Sequence, residues 1–195
     1  MAVTSARRAS ELCALRTDEP YLIFHHDKVT LRPDNQFLPK VVTSFHVNQD
    51  ISLPAFFPRP STPLEQRLHT LDVRRALAFY TDHTKHLRQT TRLFVCYGPP
   101  KLGHPVSTQR LSKWIGQCIL LSYQLAGLDP PIAVKAHSTR AMSTSMAFQR
   151  GISIPDIRKA ATWAKPETFI QHYRLDLRAR ADCSFGRAML FSLLA

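Results

Sequence analysis

The sequence predicts a mainly α fold with a small antiparallel β-ribbon (α+β). Three observations carry this. Apolar residues recur at helical spacing over most of the chain beyond residue 64. The stretch from Tyr21 to Val42 instead holds short apolar and β-branched runs broken by turn-forming residues. Finally, 195 residues, 44% of them hydrophobic, supply one domain with a sizeable core but are short for two.

Taken in order, Ser10 to Leu15 reads as a helix, and Glu11, three positions after Arg8, shares one side of its turn with that cation. In YLIFHHDKVTLRPDNQFLPKVV the breaks at His-Asp and Pro-Asp-Asn leave two or three small strands, with Lys28 and Lys40 near their turns. The proline-rich ISLPAFFPRPSTP, from Ile51 to Pro63, reads as an extended surface connector, because proline lacks a donor and resists helix. Leu71, Val73, Ala76, Leu77 and Tyr80 predict a helix over about residues 64 to 87, with Arg74, Arg75, Lys85 and Arg88 on its polar faces. LFVCY at 93–97 reads as a strand, broken by Pro99, Pro100 and Gly103. A long helix capped by Ser107 or Thr108 stops at Gly127 and turns Trp114 into the core. Further helices follow from Ser138 to Gly151, from Ile154 to about Ala164, and from Pro166 onward through Tyr173.

Charge narrows the partners. Lys and Arg number 26 against 14 for Asp and Glu, a net +12, which favours a polyanion. Arg exceeds Lys by 18 to 8, and the planar guanidinium grips phosphate through two parallel hydrogen bonds. Cys13, Cys96, Cys118 and Cys183 are scattered, without a CxxC pair or a signal-peptide pattern, so reduced and mostly core cysteines in an intracellular protein are expected. His25, His26, His83, His86 and His104 offer no metal-ligand spacing, and neither a metal nor another cofactor is expected. Uninterrupted apolar runs fall short of the roughly 18 residues a membrane helix needs, so no membrane partner is expected.

The run HSTRAMSTSMAFQRGISIPDIRKAATWAKPETFIQHY, from His137 to Tyr173, places a His, an Arg, a Trp and a late Tyr in the order a phosphodiester-attacking tyrosine needs. Without a metal, such attack requires cationic and hydrogen-bonding groups on the non-bridging oxygens while a nucleophile approaches. Alone, His-x-x-Arg is uninformative, since nine His and 18 Arg in 195 residues give about one such pair by chance. Its context discriminates. Here the pair opens a helix, where free backbone donors also favour an anion, and Trp163 and Tyr173 follow in the next two helices.

With Arg8 in RASELCAL, His137 and Arg140 in HSTR, Trp163 in AATW and Tyr173 in FIQHY, the chain resembles the tyrosine recombinases, the family of phage integrases and related site-specific enzymes. More narrowly, VTLRPDNQFLPK, LDVRRALAFY, LFVCYGPPKLG, LSKWI, AHSTR, AATW and TFIQHYRLD look like the recombinase of DIRS-like retrotransposons. The resemblance runs through almost the whole chain.

The resemblance implies a recombinase catalytic-domain fold over residues 1–178, with a C-terminal tail helix over 179–195 that is exchanged between protomers. It implies too that the first helices and a core-binding domain are missing, since Arg8 lies so near the start. Tyr173 would attack a phosphate of double-stranded DNA, forming a 3′-phosphotyrosyl bond and releasing a 5′-hydroxyl. Arg8 and Arg140 would stabilise the pentavalent phosphate, and His137 would add a hydrogen bond or share proton transfer. Trp163 would donate from its indole nitrogen, and Glu11 would orient the neighbouring cations. The acid for the leaving oxygen would be Lys40, with Lys28 as the alternative. DNA recombination or integration by a self-associating, nuclear protein is the implied function. A catalytically inactive DNA-binding remnant is the alternative, and an RNA-binding basic protein is a third class.

Overall fold

A computed structural model describes residues 1–39, 49–165 and 167–169. Lys40, Tyr173, the basic residues Arg174, Arg178 and Arg180, and the tail at 179–195 lie outside the described residues. The elements are α1 (Ala2–Ser5), α2 (Ala9–Cys13), β1 (Leu22–Phe24), β2 (Lys28–Leu31), β3 (Ile51–Pro54), α3 (Pro63–His69), α4 (Val73–Thr84), α5 (Thr108–Leu125), α6 (Ala136–Gln149) and α7 (Ile154–Ala160). The helix-rich architecture with a small antiparallel sheet is the one expected.

The sheet runs β1-β2-β3, with Leu22 opposite Leu31, Val29 opposite Leu53, and Leu31 opposite Ile51. Successive strand side chains point to opposite faces, so these residues share one face. That face is buried against Leu12 and Leu15 of the α2 segment, Leu77 of α4, Leu93, Val106 and Leu111 of α5. Trp114 packs against this core, as expected. A second, smaller core joins Ala6, Ile157, Ala161, Trp163 and Phe169, with Ala147, Phe148 and Ile154 against it.

Three expected elements are corrected. Ile51–Pro54 is a third strand rather than a connector. Its burial alternates, Ile51 and Leu53 inward and Ser52 and Pro54 outward, and a proline at the end of an edge strand costs no ladder bond. The helix expected over 64–87 is two helices, α3 and α4, followed by a 3₁₀ turn at Lys85–Leu87. Buried Asp72 breaks it, because its carboxylate accepts from Arg75 N at 3.2 Å and starts a new helix as N-cap. LFVCY at 93–97 forms one isolated bridge and, among the described residues, no ladder. Leu93 N donates to Leu15 O, Cys96 N to His104 O, and Val95 bridges Pro105, so the segment is shared between two irregular neighbours. Gly103 closes this loop at φ +77°, and a β-carbon there would lie 1.8 Å from Leu87 O.

Helices α5 and α6 end two residues before the expected Gly127 and Gly151, α7 ends at Ala160 rather than about Ala164, and the helix expected from Pro166 through Tyr173 lies largely outside the described residues. Ser107 caps α5, accepting from Arg110 N, and α6 starts at Ala136, two residues before the expected Ser138, which places His137 within its first turn. Of the cysteines, Cys96 is buried, Cys13 half-buried and Cys118 exposed on α5, so one of them is not a core residue.

Leu15 and Leu31 are fully buried, whereas Leu125 is exposed. Truncating either core leucine to Ala is expected to cost about 2–5 kcal/mol in urea unfolding, and Leu125→Ala about 0.5 kcal/mol or less.

Candidate active site

The site is organised by one carboxylate. Glu11, in the first turn of α2, is 3% exposed and accepts four hydrogen bonds. Its Oε1 receives Arg7 Nη1 at 3.3 Å and Thr162 Oγ1 at 2.7 Å. Its Oε2 receives Arg8 N at 2.8 Å and Arg140 Nη1 at 3.3 Å. An ionised carboxylate offers about four lone-pair sites, so this acceptor is saturated.

Glu11 therefore orients neighbouring cations, but the partners differ from those expected. Arg8 is the N-cap of α2, in extended conformation, so it does not share a helical turn with Glu11. It gives Glu11 its backbone N–H, as the third residue of a helix commonly receives from the cap. Its half-buried guanidinium makes no hydrogen bond among the described residues. The side chain paired with Glu11 is Arg7, with both partners 4% exposed. Arg7 Nη2 also reaches Gln49 O and Asp50 O, each at 3.4 Å, which ties α2 to the start of β3. Burial pulls the Arg7 guanidinium below the ordinary arginine value and Glu11 acts against that shift, so the group stays charged.

Helix α6 supplies the next pair. Arg140 is 1% exposed; Nη1 meets Glu11 and Nη2 donates to Ala161 O. One turn earlier on the same helix, His137 is exposed. A spacing of three residues stacks the two side chains on one face, so the pair runs from solvent down to the Glu11 carboxylate. Trp163 is buried at 5% exposure, with the Arg140 guanidinium 5.0 Å from its ring centre and Phe169 at 5.9 Å. It is the ring face that meets the cation, a contact favoured by the ring quadrupole.

Thr162 and Arg7 were not singled out in the sequence. Thr162 holds φ 49°, a left-handed conformation rare for a β-branched residue, which costs about 1–3 kcal/mol unless its surroundings enforce it. Its bond to Glu11 is the enforcing contact. No local pattern reveals such a residue. Arg7 stands four positions before Glu11 but ahead of the α2 cap, so helical spacing does not explain its pairing either.

Lys28 is exposed at the hairpin end of β2, opposite Pro54. Arg7 contacts the other end of the sheet, where Leu31 faces Ile51. Three residues at roughly 3.3 Å each separate Lys28 from that end. A cleft of about 520 Å³ is lined by Arg7 together with Ser5, Asp50, Ser52, Asp156 and Lys159 among others. Neither Arg8, His137, Arg140 nor Trp163 lines it. Among the described residues no group of His, Cys, Asp and Glu could hold a metal ion, and no helix is long and apolar enough to cross a membrane.

The same arrangement of elements occurs in solved structures. The XerH site-specific recombinase, in a pre-cleavage complex with its difH substrate, matches with a TM-score of 0.59 and 15% identity over 91% of this chain and 42% of that one. The XerA recombinase matches at 0.57 and 14% identity, over 87% and 49%. The Tn1549 transposon integrase, in complex with transposon right-end DNA, matches at 0.59 and 15% identity, over 94% and 56%. The chain shares the site-specific recombinase fold. It spans about half the length of these relatives. No family profile matches the chain, and no curated protein matches it.

Removing Glu11 strands two buried guanidiniums. Glu11→Ala is expected to destabilise by about 3–5 kcal/mol, while Arg8→Ala stays within about 1 kcal/mol, both read from urea midpoints.

Proposed function

We propose that this chain breaks and rejoins double-stranded DNA through a 3′-phosphotyrosyl intermediate, with Tyr173 as nucleophile. The observation that carries the reading is the meeting of α2 and α6 at Glu11 within a recombinase fold, where Arg140 and the Arg8 N–H bind Glu11, Trp163 lies against Arg140, and His137 stands one turn before Arg140. The motifs shared with DIRS-like elements support a retrotransposon lineage. The DNA in the XerH and Tn1549 complexes supports a duplex as partner.

In this reaction the Tyr173 oxygen forms a bond to phosphorus as the bond to the 5′-oxygen breaks. The phosphotyrosine retains the bond energy, so a second strand's 5′-hydroxyl can reverse the step without ATP. A phenol with pKa near 10 is ionised in about one molecule per thousand at neutral pH, so its proton must leave during attack. His137, exposed above Arg140, is suited to take part in that transfer. Arg8 and Arg140 would hold the non-bridging oxygens.

For the acid, Lys40 is preferred to Lys28. Lys40 belongs to the connection between Leu31 and Ile51, which leaves the sheet at the end that Arg7 grips, and Lys28 stands at the opposite end. A second reading, a non-catalytic DNA-binding protein, is favoured by the deep burial of Arg140 and its engagement with Glu11 and Ala161.

A pool of nicked duplexes separates the two. Wild-type chain is expected to form a denaturation-resistant adduct with DNA and Tyr173→Phe none; binding without an adduct would favour the second reading. Affinity should fall steeply between low and physiological salt, as phosphate contacts release counterions, and a flat response would count against a phosphate-gripping surface. Sedimentation on the trapped duplex is expected to show more than one protomer per DNA, and a single protomer would remove the proposed tail exchange.

A further inference from the structure

The end of the sheet away from Arg7 carries a second group of cations, set among aromatic rings. Backbone contacts bring four segments together there. Lys28 pairs with Pro54 at the hairpin end of β2, and Ala55 N donates to Asp27 O at 2.7 Å. His69, at the end of α3, stands 3.4 Å from Phe56 O through Nδ1, and Arg74, at the start of α4, donates from Nε to His25 O at 2.8 Å. Residues 24–28 and 54–75 hold five Lys and Arg against three acids. Two of those acids are turned to helix starts: Asp72 caps α4, and Glu65 Oε2 accepts from Ser61 N, Ser61 Oγ and Thr62 N. Lys28, Arg59, Arg67 and Arg75 are exposed, and their side chains form no ion pair or hydrogen bond among the described residues.

Two rings share this surface. Phe24 is 38% exposed, with the Arg74 guanidinium 5.9 Å from its ring centre. Phe56 is 41% exposed, its ring packed edge-on against Phe57 at 4.7 Å. Phe57 holds φ 49°, a left-handed conformation that bulky residues rarely adopt, so the fold keeps this pair in place against a local backbone preference. Exposed rings among unengaged cations fit a ligand that offers flat apolar faces and negative charge together, as a nucleic-acid strand with unstacked bases does. A duplex keeps its base faces inside its own stack, so it would meet the cations and not the rings. We propose that this end of the sheet binds single-stranded nucleic acid, with Phe24 and Phe56 stacking on bases and Lys28, Arg59, Arg67 and Arg75 along the phosphates. It lies roughly 10 Å along the strands from the end that Arg7 grips, which separates it from the Glu11 constellation. It therefore stands whether or not Tyr173 is a nucleophile.

Fluorescence anisotropy tests this on the full chain, using a labelled single strand of about 16 nucleotides, once as DNA and once as RNA, with and without excess unlabelled duplex. At least one strand is expected to bind and to stay bound when duplex is added; the tighter of the two identifies the source. Phe56→Ala is expected to weaken single-strand binding about tenfold and to leave duplex affinity within about twofold of wild type. Phe56→Tyr keeps a ring and should hold the affinity, whereas Phe56→Leu keeps apolar bulk without a π-face and should bind as weakly as Phe56→Ala. The double variant Arg59→Gln/Arg67→Gln should flatten the salt dependence of single-strand binding. Failure of both strands to bind, their displacement by duplex, or wild-type affinity in Phe56→Ala would overturn the inference. So would wild-type affinity in Phe56→Leu, which would mark an apolar protein contact instead. Should circular dichroism show Phe56→Ala unfolded, the Tyr and Leu variants decide alone. Covalent adduct formation enters none of these readings, so failure of the single-strand surface and failure of the nucleophile are told apart.

Discussion

The saturation of the Glu11 carboxylate is the constraint on which the site depends. Its four donors come from Arg7, Arg8, Arg140 and Thr162, and the last two stand 129 and 151 residues away in sequence. Bringing them to α2 closes most of the described chain on itself, and loop-closure entropy for such separations is repaid only when both ends dock. Apolar contacts alone would tolerate a small rotation of α6 against α2. A carboxylate with two guanidiniums and a hydroxyl at fixed angles does not, because a misplaced donor in the interior loses its partner and water together.

From that centre the constraint spreads outward in two directions. Through Arg7 it reaches Gln49 and Asp50, and hence the end of the sheet where Leu31 and Ile51 pair. Through Thr162 and Ala161 it fixes the exit of α7 and seats Trp163 against Arg140 and Phe169. The small core of Ala6, Ile157, Ala161, Trp163 and Phe169 packs directly beneath these polar contacts. The larger core, with its buried sheet face, serves as the rigid base that β3 transmits to Arg7. Polar geometry and apolar packing therefore specify one arrangement, each excluding the small shifts that the other would permit.

What the sequence made legible follows from the range of the interactions. Local periodicity located α2, α5, α6 and α7, and motif order nominated Arg8, Glu11, His137, Arg140 and Trp163. The misread segments are those decided by a competing local signal. Prolines in ISLPAFFPRPSTP hid the alternation of Ile51 and Leu53, which the burial of β3 makes plain. The apolar spacing across Leu71 masked the capping power of Asp72, whose carboxylate ends one helix and begins another. Within the site, the i,i+3 relation of Arg8 to Glu11 was given a helical geometry that the cap conformation removes, and Arg7 at i,i+4 holds the pairing instead. Thr162 was out of reach, since its role exists only once residues 151 positions apart have met.

The chain's charge works on two length scales, and on the proposed function these have separate tasks. The chain carries a net +12, and among the described residues most Lys and Arg are exposed, where salt screens them beyond about 8 Å; such charge would raise the local concentration of duplex and set a salt-sensitive affinity. The Arg7–Glu11–Arg140 cluster is buried and out of reach of mobile ions, so salt leaves its pairing intact. Added salt should therefore weaken capture much more than the step that follows it.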